Sequence, residues 1–125
     1  MTSTTKTILI IDDDADFRKL LAHLLKREGY EIAEAVDGEK ALDYLWYSGK
    51  PAPSLIILDL IMPVMDGWKF RGIQKSDPKI SHVPVIVITS GQTAEQDISS
   101  VQVSAFLKKP IQIDFLLRTV KTHCL

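Results

Sequence analysis

What this sequence lacks narrows it first. A single cysteine, Cys124, excludes an intrachain disulfide and suggests a reducing compartment. No apolar run approaches the roughly 18 residues that a membrane span needs. The polar start, Met1 to Lys6, has no apolar stretch of the signal-peptide kind. Excess basic charge is missing too: the formal net charge of −1 offers no field for nucleic acid and no polybasic patch for a membrane. The chain shows neither an internal repeat nor a low-complexity segment. These absences point to a soluble cytoplasmic protein. Its 125 residues, 46% hydrophobic and 25% charged, suit one globular domain over 1–125, with 1–6 as a polar tail.

What is present is a regular alternation of apolar runs and helical periods. Ile8-Leu9-Ile10-Ile11 and Leu55-Ile56-Ile57-Leu58 read as strands buried on both faces, each ending in an acid. Tyr30 to Val36, Pro84 to Thr89 and Ala105-Phe106-Leu107 supply three more strands. Between them, Phe17, Leu20, Leu21 and Leu24 recur at helical spacing before Gly29, a C-cap. Ala41, Leu42, Leu45 and Trp46 give a second helix, and Trp68, Phe70 and Ile73 a third that Gly72 weakens. Thr93-Ala94-Glu95-Gln96 has capping-box spacing and opens a short helix. Phe115, Leu116 and Val120 pack a last one, with Asp114 near its start. Strands alternating with helices predict an α/β fold, a doubly wound five-stranded parallel sheet. The candidate strand order, 2-1-3-4-5, is carried over from known sheets of this kind.

The polar residues fall at strand ends. Asp12 and Asp13 follow the first strand, Asp59 the third, Thr89 closes the fourth and Lys109 follows the fifth. In a doubly wound sheet these ends share one edge, where ligands bind. Clustered carboxylates repel unless a cation sits among them. The donors are all oxygen, with no Cys or His nearby, so the cation is hard, and Mg²⁺ suits a site of few protein ligands that also meets phosphate. Beside such a cation one carboxylate can attack phosphorus, Lys109 can neutralise developing charge, and Thr89 can donate to a phosphoryl oxygen. The constellation suits phosphoryl transfer.

At these residues the chain resembles the response-regulator receiver family. The matching segments are Ile8 to Asp14, Leu58-Asp59-Leu60-Ile61-Met62-Pro63-Val64-Met65-Asp66-Gly67, Pro84 to Ser90, and Phe106-Leu107-Lys108-Lys109-Pro110. The resemblance implies a flavodoxin-like receiver fold and a phosphoacceptor, Asp59, charged by a histidine kinase or histidine phosphotransfer protein. It implies that Asp12, Asp13 and Asp59 hold Mg²⁺, helped by the Ile61 carbonyl. It further implies that Thr89 and Lys109 bind the phosphoryl group, that Thr89 and Phe106 form the switch, and that Lys109–Pro110 is cis. The expected output is a changed affinity for a downstream protein, with no separate substrate turned over. The chain ends after the last helix without an output domain, so the expectation is either a stand-alone receiver or one excised from a longer regulator.

Some positions depart from the family pattern. Gln102 and Val103 replace the small Gly-Ala pair usual just before the switch aromatic, and the interval from Thr89 to Lys109 is short. The helix after the fourth strand is therefore expected to be short. Ser54 stands where the family often has Asp, and Phe106 lacks a tyrosine hydroxyl. Ile61 and Gly91 occupy positions that tune phosphoryl lifetime, Ile61 as a shield against water and Gly91 as an open side.

Plainer readings stand beside these. Asp14 suits helix capping. Asp12, Asp14 and Asp16 imitate a calcium loop, but Phe17 and His23 stand where that loop needs Gly and Glu. Trp46 and Tyr47 read as packing and loop anchors, His23, His82 and His123 as structural or exposed, and Cys124 as a frayed end. Two other functions remain open: an aspartate-nucleophile phosphatase, which leaves Asp59 idle, and an inactive receiver that only binds protein. A flavin-binding module is disfavoured, because an acidic crevice repels a flavin phosphate.

Overall fold

The computed structural model describes residues 5–90 and 101–125. Five parallel strands, β1 (Thr7–Ile11), β2 (Glu31–Ala35), β3 (Leu55–Leu58), β4 (Val85–Ser90) and β5 (Ala105–Lys109), pair in the order β2-β1-β3-β4-β5. Four helices among the described residues accompany them: α1 (Ala15–Arg27), α2 (Gly38–Tyr47), α3 (Gly67–Ser76) and α4 (Ile113–His123). The expected strand order and class hold.

Strand alternation explains why the core has two halves. Side chains of one strand point to opposite faces in turn. Ile8, Ile10, Leu55, Ile57, Ile86 and Ile88 meet Leu21 and Leu25 of α1 and Leu116 and Val120 of α4. Leu9, Ile11, Ile56, Leu58, Val85 and Val87 meet Leu42 of α2 and Phe70 of α3. With both faces covered, β1 and β3 carry unbroken apolar runs.

Caps fix the helix ends. Asp14 accepts from the backbone N–H groups of Asp16 and Phe17, as its capping role predicts. Asp37 and Asp66 cap α2 and α3 through the N–H groups of Lys40 and Lys69. Gly29, at φ 95°, closes α1: its N–H bonds Lys26 O, and Tyr30 N–H reaches Leu25 O.

Three local expectations are corrected. Leu20 lies exposed, and the buried face of α1 is made by Leu21, Ala22 and Leu25. Phe115 is 49% exposed, whereas Leu116 and Val120 of α4 are buried as expected. Cys124 is not frayed but buried, with Lys6 Nζ donating to its carbonyl oxygen at 3.1 Å, and burial pushes its thiol pKa up. Trp46 does act as an anchor, donating from Nε1 to Asp77 Oδ2 at 2.9 Å. Gln102 stands at φ 55°; Arg71 Nη2 donates to its carbonyl at 2.8 Å, and Lys75 donates to its side-chain oxygen. Val103 packs against the α2/α3 half of the core. The helix expected from Thr93 and the position of Gly91 lie outside the described residues.

The segment between β3 and α3 is tightly tied. Gly67 N–H bonds Leu60 O, and Gly38 N–H bonds Met65 O at the start of α2. Val64 sits at φ 68° in a γ-turn closed by Met65 N–H on Pro63 O, a conformation uncommon for a β-branched residue. A Cβ on Gly67 would lie 2.5 Å from Asp59 O and 2.8 Å from Leu60 Cα, both backbone. Gly67→Ala is therefore expected to lower the unfolding free energy by about 1–3 kcal/mol in urea titrations. Gly72→Ala, in the same helix with nothing within 4 Å, should raise it by about 0.5–1 kcal/mol.

Candidate functional site

The carboxyl ends of β1, β3, β4 and β5 bring the expected residues together. Asp12 extends β1, and its N–H bonds Ala35 O at 3.1 Å, continuing the ladder with β2. Asp59 extends β3 in the same way, its N–H bonding Ile11 O at 2.9 Å. Both side chains leave water: Asp12 is 2% and Asp59 6% exposed, whereas Asp13 is open to solvent. One carboxylate oxygen of each lies within 4.8 Å of the others. Among the described residues no other trio of acids, histidines or cysteines converges in this way.

Lys109 bridges the buried pair. Its Nζ donates to Asp12 Oδ2 at 2.9 Å and lies 3.5 Å from Asp59 Oδ2. The same ammonium sits 4.3 Å over the Phe17 ring, so a residue expected only to pack also supports the cation. Thr89, fully buried at the end of β4, donates from Oγ1 to Asp59 Oδ1 at 2.9 Å. Ile61 N–H donates to the same oxygen at 3.3 Å, and the Ile61 side chain is 55% exposed. Asp12 Oδ1 accepts from Asp14 N–H at 2.9 Å.

Phe106 lies one strand over. It is half-buried in the α2/α3 half of the core, paired in register with Val87. Alternation puts Val87 and Thr89 on the same face, so Phe106 shares a face with Thr89. The Lys109–Pro110 bond is cis.

Burial raises the Asp12 pKa, and the charge of Asp59 adds to it; the Asp14 N–H and Lys109 offset only part. For Lys109 burial pulls the other way, but its bond to Asp12 and the two acidic charges win, and its pKa rises. Three carboxylates thus face a single paired ammonium. An all-oxygen donor set of this charge fits a small hard cation and has no ligand for a soft one.

Sequence reasoning missed Arg18, whose Nη1 donates to the Asp12 carbonyl oxygen at 2.7 Å. A lone arginine in a first turn carries no signal of its own, because helix periodicity does not reveal a partner on the preceding loop.

Fold and site define a doubly wound α/β domain with an acidic, lysine-bridged crevice at its carboxyl edge. The chain belongs to the response regulator receiver domain family, whose model matches residues 8–121. It is 35% identical over 117 residues to the response regulator PleD of Caulobacter vibrioides, covering 92% of this chain but only 25% of PleD. It is 29% identical to the polar-differentiation response regulator DivK of Brucella ovis, covering 95% of this chain and 96% of DivK. Among solved structures, the chemotaxis response regulator CheY4 of Vibrio cholerae superposes with a TM-score of 0.84 at 28% identity, over 98% of this chain and 100% of that one. The protein is therefore a receiver domain of two-component signalling. Receivers are signalling switches, bind Mg²⁺ through acidic residues, and interact with histidine kinases and downstream targets. No helix among the described residues is long and apolar enough to cross a membrane.

A carboxyl with a raised folded pKa contributes stability that is present below its unfolded pKa and lost as pH rises through the folded one. Asp12 therefore weakens the metal-free protein at neutral pH. Asp12→Asn should raise stability at pH 7 in EDTA, and the gain should shrink toward pH 4. Urea titrations at both pH values check this; a less stable variant at pH 7 would mean that the Lys109 pair outweighs burial.

Proposed function

We propose that Asp59 is the phosphoacceptor of a receiver domain that spans residues 1–125. The observation that carries this is the convergence on one buried carboxylate: Thr89 Oγ1 and Ile61 N–H meet its Oδ1, and Lys109 faces its Oδ2. The donor is the phosphohistidine of a histidine kinase or histidine phosphotransfer protein, in the cytoplasm, a setting that suits a lone unpaired thiol.

Asp12, Asp13 and Asp59, with the Ile61 carbonyl, would hold Mg²⁺, which supplies charge neutralisation for the oxygens of the transferring phosphoryl group. An Asp59 carboxylate oxygen attacks phosphorus. The bond from phosphorus to the donor imidazole nitrogen breaks, its electron pair leaves with the imidazole, and an aspartyl phosphate forms. Lys109 stands ready to pair with a phosphoryl oxygen in exchange for its acidic partners, and Thr89 can turn its hydroxyl from Asp59 to another. Water later attacks the same phosphorus, so the chain serves both its own phosphorylation and its own dephosphorylation. Ile61, half-exposed beside the acceptor, shields the acyl phosphate from that water.

The new group carries roughly −1.5 to −2 charges, by analogy with other phosphorylated side chains, in place of the carboxylate's single charge, so the crevice gains about one negative charge at most. A shift of Thr89 toward it frees space on the face that Phe106 shares, and Phe106 repacks along β5. Coupling of about 1–3 kcal/mol would change a downstream partner's affinity by roughly 5–150-fold.

Incubation with Mg²⁺ and a small phosphodonor, followed by intact mass, tests the assignment. The wild type is expected to gain one phosphoryl group and Asp59→Asn none. Equal labelling of the two proteins would overturn it.

A further inference from the structure

Arg18 is a charged side chain beside the crevice that the phosphoacceptor role leaves unused. It lies in the first turns of α1 and reaches in two directions. Nη1 donates to the Asp12 carbonyl oxygen at 2.7 Å, and Nε pairs with Glu34 Oε1 at 3.1 Å. Its side chain is 13% exposed, so the guanidinium is largely removed from water. Glu34 belongs to β2 and pairs in register with Ile10 of β1. One side chain therefore joins α1, the end of β1 and the neighbouring strand.

Asp12 is the residue so gripped. Its N–H bonds Ala35 O, its Oδ1 accepts from Asp14 N–H, and its Oδ2 accepts from Lys109. The Lys109 bond is the one that phosphorylation would disturb. Arg18 holds the Asp12 peptide by its carbonyl oxygen, an atom that takes no part in the chemistry.

We propose that Arg18 is a positioning residue for the cation: by clamping the Asp12 peptide against Glu34, it fixes the direction in which the Asp12 carboxylate points. The proposal rests on Asp12, Asp13 and Asp59 being a Mg²⁺ site. Two effects of Arg18 on that site have opposite signs. Its positive charge repels a cation, so charge alone would make its loss tighten Mg²⁺ binding. Groups that orient metal ligands act the other way, and their loss typically costs about 10–100-fold in affinity. The sign of the change therefore separates the two.

The test is calorimetric titration of MgCl2 into the full chain as wild type, Arg18→Ala and Arg18→Lys, with a thermal melt of each to establish that it is folded. Arg18→Ala is expected to bind Mg²⁺ about tenfold more weakly. Arg18→Lys should fall between, because it keeps the charge on a single donor nitrogen but lacks the planar fork that holds both partners. Equal or tighter binding by Arg18→Ala overturns the proposal. If Arg18→Ala does not fold, Arg18→Lys decides: weaker binding supports the positioning role, and wild-type affinity overturns it. A wild type that binds no Mg²⁺ would remove the cation site itself, and the clamp with it, which is distinct from a wild type that binds and a variant that binds equally well.

Discussion

Repulsion among Asp12, Asp13 and Asp59 is the constraint on which the rest of this structure depends. Their carboxylate oxygens lie within 4.8 Å of one another, and two of the three side chains are almost wholly buried. Unit charges about 4 Å apart repel by roughly 1 kcal/mol in water and roughly 4 kcal/mol near a protein surface. Lys109 offsets part of this, and the backbone N–H groups of Asp14 and Ile61 offset a little more. The remainder is an excess of negative charge that a divalent cation would relieve. In the proposed function, that imbalance is what would draw Mg²⁺ to the crevice and ready Asp59 for a phosphoryl group.

The fold maintains this arrangement through strand ends. Ile8–Ile11 of β1 and the whole of β3 are apolar and locked between two core layers, which holds the first residues beyond them in place. The close approach of Gly67 to the Asp59 backbone, the cap from Asp66 and the γ-turn at Val64 hold the loop after Asp59. β4 and β5 then deliver Thr89 and Lys109 from the other side. In the proposed function a phosphoryl group on Asp59 would act through these last two, because their hydrogen bonds can be exchanged without breaking the core.

Much of this was legible in the sequence, for identifiable reasons. A four-residue apolar run ending in an acid is hard to read otherwise, and Leu55–Leu58 has the bounds expected of it. The strand-end residues Asp12, Asp59, Thr89 and Lys109 come together because parallel topology leaves them one edge. Rotational detail was less legible. Periodicity gave α4 with Leu116 and Val120 buried, but not that Phe115 beside them is exposed. Cys124 packs in the α1/α4 half of the core, and its carbonyl accepts from Lys6, at the other end of the chain. Arg18 and Phe17 were missed as site neighbours because their partners, the Asp12 carbonyl and the Lys109 ammonium, leave no pattern in the sequence. The residues at Gln102 and Val103 stood out by comparison with the family, yet the positive φ and the hold of Arg71 became visible only in three dimensions.

The central claim is that the crevice is strained by its own charge until a divalent cation enters. Thermal unfolding of the wild-type chain at pH 7, titrated with MgCl2 at constant ionic strength, tests it most directly. Binding to the folded state alone must raise the melting temperature progressively once Mg²⁺ exceeds its dissociation constant. The account predicts that rise, and its absence when NaCl replaces MgCl2. A melting temperature that does not respond to Mg²⁺ would contradict it.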